Sequence, residues 1–257
     1  MNLLSRLADL NPPRPQELLP NSPSFHETNL VRSAALAADL RIDIDVWEPA
    51  PTPNSQHTLR LLLNGELVNT RVFSGVVVPA DCFVMLPKDQ MYPRVHLLSY
   101  TIEDDTGEVF PSTPIELTID NLAPTFSGTD RVVFPYEVEI YGITLDYLNE
   151  NEDKVLVEIP VWPDLKPGDV VRWYWDRDNN NGAPDGEIEL LTINPPIKVV
   201  VTKDVIQANG DGERYMSYKL GDRAGNFTSG YSQRVRVTVD LREIPRYLPP
   251  VTVMPFL

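Results

Sequence analysis

The chain has 257 residues, a formal net charge of −15 and 42% hydrophobic residues, which suits one large or two ordinary globular domains. Phosphate backbones and anionic lipids repel a surface this acidic. We therefore expect no nucleic-acid partner. The single cysteine excludes an intrachain disulfide, and no apolar run approaches the roughly 18 residues that cross a bilayer, so we expect no membrane insertion.

The N-terminal residues 1–23 form a proline-rich arm that lacks the apolar core of a classical signal peptide. Proline favours extended backbone, and the leucines in residues 2–10 lie on one side of an amphipathic pattern. We therefore expect this arm to attach the protein to a larger assembly, and we expect its removal to release the protein while the rest of the chain stays folded. Directly after it, the alanine- and leucine-rich residues 31–39 predict a short helix.

The central part of the chain repeats one series of short strands. Tyr100 and Tyr218 occupy matching Ser-Tyr strands at an offset of 118 residues, and Trp47 matches Trp162 further upstream. The strands alternate polar and apolar residues, and turn signals such as Asn64-Gly65 separate them. This pattern is typical of antiparallel sandwiches of about 100 residues.

We therefore predict an all-β fold with two tandem immunoglobulin-like β-sandwich domains and extended Pro-rich terminal arms. The segment 141–155 is expected to form strand and turn. The predicted ranges are an arm at 1–23, sandwiches at 24–121 and 122–242, and a second proline-rich arm at 243–257.

The second copy resembles a known family. Its stretches DKVLVEIPVWPDLKPGDVVRWYWD and YMSYKLGDRAGNFTSGYSQRVRVTVD look like the immunoglobulin-like repeats of large bacterial surface and secreted proteins. The resemblance covers residues 122–250 well and 40–121 more loosely. The first copy departs from it, because Gln56-His57 stands where the family pattern has a Gly-Asp pair. The resemblance implies the sandwich fold and a spacer, adhesive or structural role.

The loop after the two central tryptophans is a candidate calcium site. Counting from Asp176, oxygen-bearing side chains fall at positions 1, 3, 5 and 12, which are Asp176, Asp178, Asn180 and Glu187. Ca²⁺ loops use this spacing, although the glycine comes one place late and the flanks are strands. The alternative is a plain hairpin insertion. No other cofactor is predicted.

The remaining reactive side chains favour structural roles. Trp173 and Trp175 share one face of a strand, which indicates core packing rather than a sugar-stacking platform. Cys82 lies in an apolar run, as a buried small side chain does. The three histidines stand in separate segments, and no nucleophile or phosphate-binding motif is present. We therefore expect no enzyme.

These features predict a non-catalytic structural or adhesive interaction module. It would contact proteins through its terminal arms and loops, as part of a larger assembly and in oligomers. The expected setting is a bacterial surface or secreted multi-repeat protein, extracellular without a classical signal peptide. Two alternatives stay open: a phage virion component, such as a head decoration or tail-associated protein, and a carbohydrate-binding module.

Overall fold

The computed structural model describes residues 10–128, 130–177 and 182–243. Contacts divide the chain into two compact units. Unit 1 comprises Met1–Pro124 with Gly221–Phe227, and unit 2 comprises Thr125–Leu220 with Thr228–Leu257. Each unit has its own hydrophobic core, built from buried side chains of its strands.

Unit 1 contains eight named strands in two sheets. One sheet has the order β1-β2-β5, and the other has the order β4-β3-β6-β7, with β8 also paired to β6. The strands are β1 (Arg14–Pro15), β2 (Leu40–Asp43), β3 (Gln56–Leu63), β4 (Glu66–Ser74), β5 (Phe83–Leu86), β6 (Arg94–Glu103), β7 (Val109–Pro111) and β8 (Ile115–Ile119).

Strand β3 shows why these residues form a sandwich. Its side chains alternate from buried His57 to buried Leu63, while the residues between them face outward. The strand turns into β4 through Asn64 and Gly65, whose φ angles are 54° and 82°. Positive φ at both positions gives the tight hairpin turn whose twist matches that of the flanking strands.

Unit 2 contains the sheets β12-β11-β14-β15-β9 and β10-β13. Its strands are β9 (Ile143–Thr144), β10 (Lys154–Ile159), β11 (Val170–Asp176), β12 (Gly186–Glu189), β13 (Ile197–Thr202), β14 (Gly212–Gly221) and β15 (Val235–Asp240). Its helices are α1 (Tyr136–Tyr141), α2 (Leu145–Glu150) and α3 (Lys203–Asn209).

The two units share one strand topology. In chain order, β2, β3, β4, β5, β6 and β8 correspond to β10, β11, β12, β13, β14 and β15. In both units the first and fourth of these strands pair in one sheet, and the other four form the opposite sheet. This interleaving is that of immunoglobulin-like sandwiches. The predicted fold class is therefore confirmed.

Two local predictions need correction. The helix expected at 31–39 is a shorter 3₁₀ helix, Ser33–Ala37. The segment 141–155, predicted as strand and turn, contains the short strand β9 as expected, but α2 follows it. The hydroxyl of Thr144 accepts a hydrogen bond from the Tyr147 N–H at 3.1 Å, and buried Leu148 anchors the helix to the core. This N-cap and one apolar face are enough to form a single short helix.

The outer edge of β5 in unit 1 is covered by side chains of β4. Asn69 Nδ2 donates to the Met85 carbonyl at 2.6 Å, and Arg71 Nη1 donates to the Phe83 carbonyl at 2.6 Å. These bonds occupy acceptors that an exposed strand edge would offer to another chain. Among the described residues, no helix has the length and hydropathy of a membrane span.

Candidate functional site

The candidate calcium loop follows the most aromatic strand of the molecule. Trp173 and Trp175 of β11 are buried at 4% and 1% exposure in the core of unit 2, while Tyr174 on the other face packs edge-on against Tyr231. A Cβ added to Gly186 would lie 2.4 Å from the Trp173 ring, so this glycine gives the indole its room. Core packing of both tryptophans is confirmed.

Two of the four predicted calcium ligands have arginine partners. Asp176, which is 7% exposed, accepts a hydrogen bond from Arg234 at 2.8 Å. Glu187 of β12 forms an ion pair with Arg172 at 2.5 Å. Each of these two carboxylates therefore already has a cationic side chain as its partner.

The register also separates these two carboxylates. Glu187 lies opposite Arg172, four residues before Asp176 on β11, which is roughly 13 Å along a strand. Ligand oxygens lie within about 2.6 Å of one Ca²⁺ ion, so Asp176 and Glu187 would have to move to share an ion. Asp178 and Asn180 lie outside the described residues. The calcium site stays a prediction.

A carboxylate outside the predicted set also holds this loop. Asp185 Oδ2 accepts a hydrogen bond from the Trp175 backbone N–H at 2.6 Å, so it ties the end of the loop back to β11. Within the described ranges, no group of three His, Cys, Asp or Glu side chains is arranged to hold a metal.

Trp47 in unit 1 and Trp162 in unit 2 are matching buried tryptophans, and each indole N–H has a side-chain acceptor. In unit 1, Trp47 Nε1 donates to His57 Nδ1 at 2.9 Å. In unit 2, Trp162 Nε1 donates to Asp169 Oδ2 at 3.0 Å. His57 is thus the counterpart of Asp169. The first copy has Gln56-His57 in place of the Gly-Asp pair, and it makes the same hydrogen bond with a histidine as the acceptor.

A second pair of matching contacts fixes the later strands. Ser112 Oγ accepts from the Tyr100 backbone N–H at 2.9 Å, and Ser232 Oγ accepts from the Tyr218 N–H at 3.0 Å. Both tyrosines are 1% exposed, and burial raises the pKa of both phenols. These side chains therefore remain neutral parts of the core.

The other reactive side chains also serve the fold. Cys82 is fully buried, and burial raises the pKa of its thiol, which confirms it as a core residue and leaves little thiolate for chemistry. His96 bonds to the Asn64 side chain at 3.0 Å and to the Tyr92 carbonyl at 2.8 Å. The described geometry uses both side chains structurally.

The N-terminal arm is part of unit 1 from residue 10 onward. Its strand β1 pairs antiparallel with β2, with Arg14 opposite Asp43, and the Gln16 N–H donates to the Arg41 carbonyl at 3.0 Å. The Tyr100 hydroxyl donates to the Asn11 carbonyl at 2.8 Å. The proline-rich segment therefore completes a sheet.

Polar side chains fix the arm in place. Arg14 forms an ion pair with Asp45, Asn11 Nδ2 donates to the same carboxylate at 2.9 Å, and Gln16 Nε2 donates to Asp43 at 2.8 Å. Donors on the arm thus meet carboxylates on the rim of the sheet. The proline pattern predicted extended backbone here but not this pairing.

No family model matches the sequence, and no curated protein matches it. Solved structures similar to the chain include part of a bacterial ice-binding adhesin, at 18% identity and a TM-score of 0.40, covering 91% of this chain and 66% of that one. The chain thus spans slightly less than two thirds of that structure.

Two further similar structures are tandem modules. Fibronectin(III)-like modules of Clostridium thermocellum CbhA match at 11% identity and a TM-score of 0.40, over 79% of this chain and 86% of that one. A tetra-tandem repeat from the extending region of a large adhesion protein matches at 12% and 0.30, over 90% and 49%. Likenesses at this level assign no function.

Proposed function

We propose that the chain is a non-catalytic structural and adhesive module that works by binding other proteins, as part of a larger bacterial surface or secreted multi-repeat assembly. The observation that carries this proposal is the duplicated sandwich. Both units reproduce the same topology, the same tryptophan with a buried acceptor, and the same tyrosine–serine contact. Duplication of an entire core extends a protein without assembling a reaction centre.

The side chains that most suggested chemistry support this proposal through their contacts. His57 and Asp169 each accept from a buried indole, and Cys82 is enclosed in a core. The cores themselves are filled by aliphatic and aromatic side chains. Interaction sites would then lie on sheet edges, loops and arms, where sandwiches present most of their variable surface.

Unit 1 provides an example of such binding within the chain. Residues 10–15 are a peptide bound at a sheet edge by backbone pairing and by oppositely charged side chains. We propose that the loops and the C-terminal arm, residues 243–257, contact other proteins; residues 244–257 of that arm lie outside the described residues. This setting places the protein outside the cell or, in the alternative, in a virion.

The carbohydrate-binding alternative has less support. All four tryptophans are buried, at 4% exposure or less, so their indole rings are not available to stack on sugars.

Cross-linking in intact native material tests the proposal. Lysine-directed cross-linking followed by mass spectrometry should connect this chain reproducibly to one or a few proteins, and cell-envelope or virion partners would identify the setting. Recovery of the chain only as an uncross-linked monomer, at a cross-linker dose that links known complexes in the same sample, would contradict an interaction role.

A further inference from the structure

In each unit, a residue of the preceding segment pairs with the edge of the first long strand, β2 or β10, in the same register. In unit 1, Arg14 lies opposite Asp43 of β2. In unit 2, Val133 lies opposite Glu158 of β10, and the two residues exchange backbone hydrogen bonds of 2.9 Å. Trp47 and Trp162 align Asp43 with Glu158, so the two pairings are equivalent.

The next step along this edge differs between the units. In unit 1, the Gln16 N–H donates to the Arg41 carbonyl. The equivalent of Gln16 is Pro135, which the register of the Val133–Glu158 bridge aligns with Leu156. Proline has no N–H to donate, and the chain turns away into α1 at Tyr136.

Leu156 therefore keeps an available edge. Alternate residues of a strand direct their backbone groups to the same side. Since Glu158 bonds to Val133 on this side, Leu156 directs its N–H and C=O there as well. Its side chain is 40% exposed and that of Val133 is 44% exposed, so apolar surface borders the available backbone groups.

An open groove of about 320 Å³ follows this edge. Its walls combine apolar contacts with polar groups from β10, β13 and α2, and all of them belong to unit 2. The lining includes Val133, Pro135, Tyr147, Lys154, Leu156 and Lys198.

The charge of the groove differs from that of the molecule. In a chain of net charge −15, the groove is lined by two lysines and one glutamate, Glu158. Lys154 bonds to Glu152 at 2.5 Å, while Lys198 is exposed on the outer face of β13. At the equivalent edge of unit 1, rim carboxylates hold donors of the bound peptide. Lys198 stands opposite Glu158 in the β10–β13 register, and it is the cation of the lining that a carboxylate of a bound strand would approach.

We propose that this groove binds a short extended strand of another protein that carries acidic and apolar side chains. The strand's backbone N–H donates to the Leu156 carbonyl, an apolar side chain lies on Val133 and Leu156, and a carboxylate pairs with Lys198. Edge pairing of this kind supplies affinity through the main chain and specificity through side chains. The inference rests on the proposed interaction function and names one surface and partner chemistry for it.

A peptide titration of the full chain tests the groove. The probes are acetyl-Glu-Val-Thr-Val-Glu-amide and its charge-reversed form, acetyl-Lys-Val-Thr-Val-Lys-amide, followed by ¹⁵N–¹H NMR. The acidic peptide should bind at least about tenfold more tightly than the basic one, because only its carboxylates form a charge-assisted contact with Lys198. The largest chemical-shift changes should occur at Leu156 and Lys198. N-methylation of the peptide's central residues should abolish binding.

Three variants separate the groove from general charge effects. Lys198→Gln should weaken the acidic peptide about tenfold, whereas Lys219→Gln, a lysine outside the groove lining, should leave it unchanged. Pro135→Gln supplies the N–H that Gln16 provides in unit 1, so it should close the edge and also weaken binding. Thermal unfolding of each variant verifies that it is folded.

Several outcomes would overturn the groove proposal. They are equal binding of the two peptides, shifts centred away from β10, and full binding by Lys198→Gln. If the peptides fail but native cross-links to partner proteins persist, the groove assignment is wrong and the interaction function stands. If both experiments fail, the proposed function itself is wrong.

Discussion

His57 shows how one residue can replace another of different chemistry. It occupies the position of Asp169, and both side chains accept a hydrogen bond from a buried indole. The requirement at this position is an acceptor aimed at the indole N–H, because a buried donor without a partner destabilises the fold. The family pattern of Gly-Asp is therefore one solution among others.

We predict that His57→Leu destabilises unit 1 by about 1–3 kcal/mol, because Trp47 Nε1 loses its acceptor. Urea unfolding followed by the NMR signal of the Trp47 indole N–H measures this, since Trp47 is the one tryptophan of unit 1. The control is Thr58→Val, on the outer face of the same strand. Equal stability of the two variants would show that the hydrogen bond contributes little.

Asp104 has a pH-dependent role in the turn between β6 and β7. Its Oδ1 accepts from the Thr106 hydroxyl at 2.7 Å and from the backbone N–H groups of Thr106 and Glu108, both at 2.9 Å. These bonds, that of the hydroxyl first, lower the pKa of the carboxyl from its usual 3.8. Buried Asp222 occupies the matching turn, where burial raises its pKa.

The sign of the shift at Asp104 sets the prediction. A lowered pKa means that the folded state favours the charged form, so the stabilisation is present above about pH 4 and is lost as pH falls through the folded pKa. Asp104→Ala should lower the unfolding temperature at pH 7, and the difference from wild type should shrink in stronger acid. Asp105→Ala is the control, and a pH-independent difference would contradict this account.

At the scale of elements, the proline content of the N-terminal segment did not predict that this segment forms a strand paired with β2. Residues 1–23 resemble a detachable arm, and sequence reasoning expected that their removal would leave both sandwiches folded. Instead, β1 covers the edge of β2, and Leu10 and Leu18 pack against the core. Truncation through residue 23 should therefore destabilise unit 1.

A single substitution isolates the contribution of this edge. Gln16→Pro removes the N–H that donates to the Arg41 carbonyl and should cost about 1 kcal/mol more than Gln16→Ala, which loses only the side-chain bond to Asp43. Denaturant unfolding of the two variants provides the measurement. Identical stabilities would mean that the edge bond contributes nothing measurable.

The loop between β11 and β12 remains a candidate calcium element. If it binds the ion, millimolar Ca²⁺ should raise the unfolding temperature and Asp178→Ala should abolish the rise, because metal that binds only the folded state stabilises it. Asp105→Ala should keep the full response. An unfolding temperature that does not change with Ca²⁺ would leave the plain hairpin insertion as the explanation.

For the whole molecule, the duplication was visible in the sequence because aromatic anchors survive when loops change length. The matches of Tyr100 with Tyr218 and of Trp47 with Trp162 predicted two sandwiches of one topology. Short helices such as α2 were not predicted, because a single cap and one buried leucine leave little periodic signal. The available edge at Leu156 could not be predicted from the sequence. It follows from the Val133–Glu158 pairing, whose register aligns Pro135 with the Leu156 carbonyl.

The covered edge of unit 1 has a consequence for assembly. Its three-stranded sheet is covered on one edge by β1 and on the other by side chains of β4, so few backbone groups there can pair with a strand of another protein. In unit 2 the proposed groove beside β10 would receive a strand of another protein. A copy held through this contact would decorate the surface of a larger array.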